Sequence, residues 1–151
     1  MLQSNLGIII KDNKILLCMK KRGFGVGKWN SAGGKLDSCE TIEQCMVREL
    51  KEETNLDAKE SDLKKVGVLH FDFIDKQDWN QDVSIFMINE FSGEPIETEE
   101  MIPKWFNIDE IPYSEMWEDD IYWLPRIING EEVEYKFNFE NGKIKNFKKI
   151  K

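Results

Sequence analysis

The chain has 151 residues, 40% of them hydrophobic, a size and composition that suit one domain, residues 1–151, with one sizeable core. Its 21 Lys and Arg against 29 Asp and Glu leave a net charge of −8. That balance disfavours stable nucleic-acid binding and admits an anionic small substrate where a divalent cation mediates the contact. Apolar runs such as Leu6–Ile10 are strand-length, too short to span a bilayer, and Met1-Leu2-Gln3-Ser4-Asn5 lacks the basic segment of a signal peptide. A cytoplasmic protein without membrane attachment is expected, with a monomer as the default.

In chain order, Leu6–Ile10 and Lys14–Met19 read as strands joined by a turn at Lys11-Asp12-Asn13. Lys20 to Lys35 is glycine-rich and reads as loop with a short strand. Thr41 to Thr54 reads as a helix opened by a Thr41/Gln44 capping box and stopped by Asn55 in a left-handed conformation. Val66–Ile74 and Val83–Asn89 read as strands, Gly93-Glu94-Pro95 as a turn and Lys104–Phe106 as a short strand. A second helix is predicted over Trp117–Asn129, with Pro125 inside it to kink or shorten it. Val133–Glu140 and Lys143–Ile150 form a hairpin around a type I′ turn at Asn141-Gly142. Strands with two separated helices suggest a mixed sheet between helical layers.

Cys18, Cys39 and Cys45 are odd in number and form no CxxC pair, which argues against a disulfide framework and a zinc site. His70 is the sole histidine, lies in an alternating run, and reads as a strand residue rather than a catalytic base.

The first helix carries the chemistry. On a wheel of about 100° per residue, with Ile42 at zero, Glu49, Glu52 and Glu53 fall at about 340°, 280° and 20°. They share the side of Ile42, Cys45 and Met46, whereas an ordinary solvated acidic face would lie opposite the apolar stripe. At i, i+3, i+4 their carboxylates converge and repel. A hard divalent cation relieves that repulsion, and oxygen-only ligands suit Mg²⁺ or Mn²⁺. Arg48 is placed to pair with an acid such as Glu40 and to hold the preceding loop against the helix.

These residues resemble the Nudix box: Gly, five residues, Glu, seven residues, Arg-Glu, an aliphatic, one residue, Glu-Glu, one residue, Gly, an aliphatic. Gly34, Glu40, Arg48, Glu49, Leu50, Glu52, Glu53 and Leu56 match in register, and Asn55 stands where the family has Gly. Beyond the box, Met19–Asn30, Glu99-Glu100-Met101 and Met116–Trp123 are similar to the oxidised purine nucleoside triphosphatases of the MutT-homologue type. The resemblance implies an α/β/α sandwich with a mixed β-sheet between helices. It implies metal ligation by Glu49, Glu52, Glu53, Glu100 and the Gly33 carbonyl. It also implies a base pocket of Asn30, Phe24, Phe71, Trp117, Asp119 and Asp120. Asn5 and Ala32 depart from the Thr and bulky aromatic usual in the animal enzymes, and Ala32 would enlarge the pocket.

The expected reaction is Mg²⁺-dependent attack of water on the β-phosphorus of a purine nucleoside triphosphate, giving the monophosphate and pyrophosphate. Glu53 or Glu100 would take the water's proton, and Lys20 is either a phosphate contact or a surface lysine. Trp117 and Phe24 offer stacking surfaces, and Asn30 both a donor and an acceptor. Asp119 and Asp120, crowded in a partly apolar pocket, would keep one proton between them. An acid pair at a helix start is commonly explained by the helix dipole alone; similarity over Met116–Trp123 favours the pocket. Of Phe71 and Phe73, on one strand face, at least one is expected to be core. The alternatives are a Nudix hydrolase of dinucleoside polyphosphates, nucleotide sugars or ordinary triphosphates, and a non-catalytic nucleotide-binding module.

Overall fold

The structure is a computed structural model that describes residues 1–23 and 25–151. Strands β1 (Leu2–Ile8), β2 (Ile10–Lys11), β3 (Lys14–Lys20) and β4 (Trp29–Asn30) precede helix α1 (Ile42–Thr54). Then follow β5 (Leu63–Phe73), β6 (Gln81–Ile88), β7 (Met101–Asn107), helix α2 (Asp120–Ile128), β8 (Val133–Glu140) and β9 (Lys143–Lys149). One sheet has the order β1-β6-β5-β8-β9 and is mixed: β1 runs parallel to β6 and β5 parallel to β8. In the second, β3 pairs with β2 and β4 along one edge and with β7 along the other.

Each helix covers its own core. α1 contributes Met46 and Leu50 to a cluster with Ile9, Leu16, Phe86 and Ile88. α2 contributes Trp123, Leu124 and Ile127 to a larger one with Ile8, Leu17, Leu69, Ile85 and Phe137. Burial of these side chains is the main driving force for docking the helices. Gly7 on β1 lets the helix pack close, since a Cβ there would displace the tips of Met46 and Ile88.

Helix α1 forms as the sequence dictates. The Thr41 hydroxyl accepts from Gln44 N–H, and the Gln44 side chain accepts from Thr41 N–H, completing the capping box. Asn55 ends it at φ 70° with its N–H on the Lys51 carbonyl. Asp12 and Asn13, at φ 53° and 61°, make the first hairpin turn; Asn141 and Gly142, at 54° and 76°, make the last. Several elements differ from expectation: β5 begins at Leu63 rather than Val66, and the strand expected over Leu6–Ile10 is divided between β1 and β2. β1 begins at Leu2, because Leu2 to Ile8 pair with Gln81 to Met87. β7 is extended to Met101–Asn107 by pairing along all of β3. α2 starts three residues after Trp117, and Pro125 lies inside it.

His70 stands in β5 between two carboxylates: Nδ1 lies 2.7 Å from Asp82 and Nε2 2.7 Å from Glu134. Burial works to lower its pKa, but the hydrogen bonds to Glu134 and Asp82 outweigh it and hold the pKa above the usual value. Its contribution to stability is therefore full below about pH 6.5 and is lost as pH rises through the raised native pKa. His70→Gln is expected to flatten that part of the stability–pH curve, measured by urea unfolding across neutral pH. A variant whose curve overlays the wild type's would refute the assignment.

Candidate active site

The loop preceding α1 is bound to β1. Asn5, buried in β1, accepts from Gly34 N–H through Oδ1 (3.1 Å) and donates through Nδ2 to the Ile42 carbonyl (3.4 Å). Its backbone N–H reaches the Gly34 carbonyl, and a side chain at Gly33 would collide with the Asn5 carbonyl. At Gly34 a Cβ would collide with the Glu49 carboxylate. Glycine is thus required at 33 by the approach of backbone, whereas a side chain at 34 would push the Glu49 carboxylate aside.

Arg48 ties the acids together. Its Nε and Nη2 form a fork on Glu40 at 3.0 and 2.7 Å, and Nη1 reaches Glu49 at 3.0 Å and Glu52 at 3.3 Å. The Arg48 fork holds the Glu40 carboxyl down at about 2. Arg48→Lys, unable to reproduce a planar fork, is expected to lower both the melting temperature and kcat. Unchanged thermal unfolding would contradict the structural role.

The glutamates differ in environment. Glu53 is largely buried and accepts from Gly33 N–H at 2.9 Å. Burial pushes its carboxyl up to about 8; the Gly33 hydrogen bond opposes this, and the charges of Glu49 and Glu100 add to it. Glu49 is half-buried, and burial raises its pKa despite Arg48. Glu52 remains exposed on Arg48, and the exposed Glu100 lies 3.5 Å from Arg22. The expected convergence of three carboxylates is therefore corrected: among the described residues no three acid, His or Cys side chains surround one point. The cause is the guanidinium of Arg48, which takes up Glu49 and Glu52. The donor set nonetheless fits a hard divalent cation. It is all oxygen, and its innermost carboxyl, Glu53, is desolvated beside like charges.

Beside this end of α1 opens a cavity of about 300 Å³. Glu53, Lys20, Asn30, Gly33, Phe71, Trp117, Asp119 and Asp120 all line it. Phe24 lies outside the described residues. Lys28 stands 5.3 Å over the Trp117 ring. Phe73 is core and stacks on Phe139, while Phe71 is partly buried against both, so the two phenylalanines divide as expected. Asn30 Oδ1 accepts from Ser31 N–H at 2.9 Å, which turns the amide so that its NH₂ end remains for a ligand.

Asp119 and Asp120 open α2 and are almost wholly buried. Asp119 Oδ2 accepts from the Trp123 indole at 2.8 Å. Asp120 Oδ2 is buried with no hydrogen-bond partner among the described residues. Burial raises both carboxyls, and the charge of Asp119 raises Asp120 further. Two acids this close in a dry site keep a proton between them at neutral pH.

The comparisons fit this geometry. Residues 1–127 match the NUDIX domain. This chain belongs to the Nudix hydrolase family. Among its Nudix relatives, it is 45% identical over 135 residues to a zebrafish protein named oxidized purine nucleoside triphosphate hydrolase, covering 89% of this chain and 85% of that one. The mouse protein of that name is 41% identical over 136 residues, covering 90% and 85%. The crystal structure of a MutT protein from Bacillus halodurans superposes with a TM-score of 0.87 at 20% identity, covering 99% of this chain and 98% of that one, a likeness of fold.

Sequence reasoning missed Asn5 as the link between β1 and the Nudix loop, and it missed Ser4, Cys18, Trp79, Gln81 and Phe139 in the cavity wall. Cys18 is an inert wall residue, its thiol pushed up to about 12 by burial and then by Glu53. No local signal marks Ser4 and Gln81, which meet only through the pairing of β1 with β6.

Proposed function

We propose that the protein hydrolyses oxidised purine nucleoside triphosphates, such as 8-oxo-dGTP or 2-hydroxy-dATP, to the monophosphate and pyrophosphate. The observation that carries this is one cavity lined both by the partly buried Glu53 of the Nudix box and by Asp120, whose buried carboxylate oxygen lacks a partner among the described residues. A buried polar atom left unpaired is costly unless a ligand satisfies it. The two vertebrate relatives named for this activity support the same reading.

In this proposal Glu49, Glu52, Glu53, Glu100 and the Gly33 carbonyl hold Mg²⁺, with Mn²⁺ as a substitute. When bound, the ion neutralises phosphate charge and polarises a phosphoryl oxygen. Gly33 N–H fixes Glu53 Oε1, leaving Oε2 to accept the proton of the attacking water; Glu100 is the second candidate for that proton. Lys20, at the cavity wall near Glu53, contacts the phosphates. Asn30, Asp119 and Asp120 read the base edge, with Trp117 and Phe71 as apolar walls. Arg48 and Glu40 position the acids. Among the described residues no helix is long and apolar enough to cross a membrane, and the proposed setting is the cytoplasmic nucleotide pool, with the protein acting as a monomer.

The test is pyrophosphate release with Mg²⁺ from 8-oxo-dGTP, 2-hydroxy-dATP, dGTP, dATP and a dinucleoside polyphosphate. A much larger kcat/KM for an oxidised triphosphate is expected. Equal rates for all triphosphates, or preference for the dinucleotide, would remove the base-pocket assignment. No turnover of any would favour a binding module.

A further inference from the structure

One wall of the cavity carries a polar pair remote in sequence from the acids of α2. Ser4 on β1 and Gln81 on β6 both line it, and their side chains are bonded to each other, Ser4 Oγ to Gln81 Oε1, at 2.6 Å. The other end of the Gln81 amide donates from Nε2 to the Trp79 carbonyl at 3.1 Å. A carbonyl only accepts, so that end is the NH₂ group, the other is the oxygen, and the Ser4 hydroxyl must be the donor. The pair is thereby locked. Its remaining capacity is one N–H on Gln81 and the lone pairs of the Ser4 oxygen, a donor and an acceptor on one wall. Around them the wall is apolar, formed by Val83, Phe73, Phe139 and Trp79.

We infer that Ser4 and Gln81 read the five-membered-ring edge of an 8-oxopurine, a specificity that rests on the proposed hydrolysis of oxidised purine triphosphates. Oxidation at C8 changes that edge in a defined way. An ordinary purine offers a bare acceptor at N7 and a C–H at C8; the 8-oxo form offers an N–H at N7 and a carbonyl at C8. Ser4 Oγ accepts from the new N7–H, and Gln81 Nε2 donates to the new carbonyl. Because the Ser4 proton is committed to Gln81, the N7 lone pair of an undamaged purine would face a lone pair. Asp119, Asp120 and Asn30 are left for the six-membered ring, so the two ends of the base are read by different elements.

The test compares kcat/KM of wild type, Ser4→Ala and Gln81→Leu on four substrates, with thermal unfolding to confirm the fold. 8-oxo-dGTP and 8-oxo-dATP carry the altered edge; 2-hydroxy-dATP and dGTP do not. Each variant is expected to lose about tenfold on both 8-oxo substrates, with 2-hydroxy-dATP unchanged and dGTP unchanged or raised. Equal losses on all four, or none on the 8-oxo pair, would overturn the inference and leave the proposed function standing. A wild type with no preference for any oxidised purine would overturn both.

Discussion

Glu53→Gln is expected to lower kcat for metal-dependent hydrolysis by about 10²–10⁴-fold, the range a positioned proton acceptor contributes. The substitution is informative because it leaves the shape of the site intact. The amide oxygen of Gln can still accept from Gly33 N–H, as Glu53 Oε1 does at 2.9 Å. What is lost is a negative donor and a proton acceptor. A second readout separates this from misfolding. In wild type the native Glu53 carboxyl holds its proton up to about pH 8, whereas an unfolded one releases it near 4.5. In the presence of a chelator, stability should therefore fall as pH rises from 4.5 towards 8 and level off above. Gln carries no such dependence, so the variant should melt higher than wild type at pH 8 while being almost inactive. Turnover close to wild type, with the same pH dependence of melting, would remove Glu53 from the site.

The second large effect is expected at Asp120. Removing a buried group that reads a polar base edge costs far more than changing apolar bulk. Asp120→Ala should reduce kcat/KM on an oxidised purine triphosphate by about 10²–10⁴-fold, chiefly through KM. Asp120→Asn keeps a permanent donor where wild type depends on the proton shared with Asp119. Burial raises both native carboxyls, so the shared proton is present at neutral pH and departs as pH rises through the raised values. Preference for the oxidised substrate should accordingly fall with rising pH in wild type and stay level in Asp120→Asn. A wild-type preference independent of pH would show that the pair reads the base without a proton.

Local sequence carried α1 almost completely. Thr41, Gln44 and Asn55 are signals confined to one helix, and each does in the fold what its chemistry demands. The Nudix pattern likewise identified the Arg48–Glu40 fork, since both members belong to one short segment. What sequence could not supply was charge balance in three dimensions. The wheel placed Glu49, Glu52 and Glu53 on one side of the helix but could not show that Arg48, between them, would draw Glu52 outward. Nor could it find contacts made through pairing of distant strands. The span of β7 follows from its register with β3, far earlier in the chain, rather than from its own composition, and Ser4 meets Gln81 only because β1 lies parallel to β6.

Glu49, Glu52 and Glu53 of the Nudix box belong to α1, whereas the groups proposed to face the base belong to the start of α2 and to β1, β4, β5 and β6. In the proposed function, hydrolysis and recognition thus fall to separate pieces of backbone. On the proposed reading, a single exchange at position 4, 81 or 120 would alter which nucleotide is retained without touching the residues proposed to cleave it. Such a chain would change its diet by small steps, each leaving the acids of α1 in place.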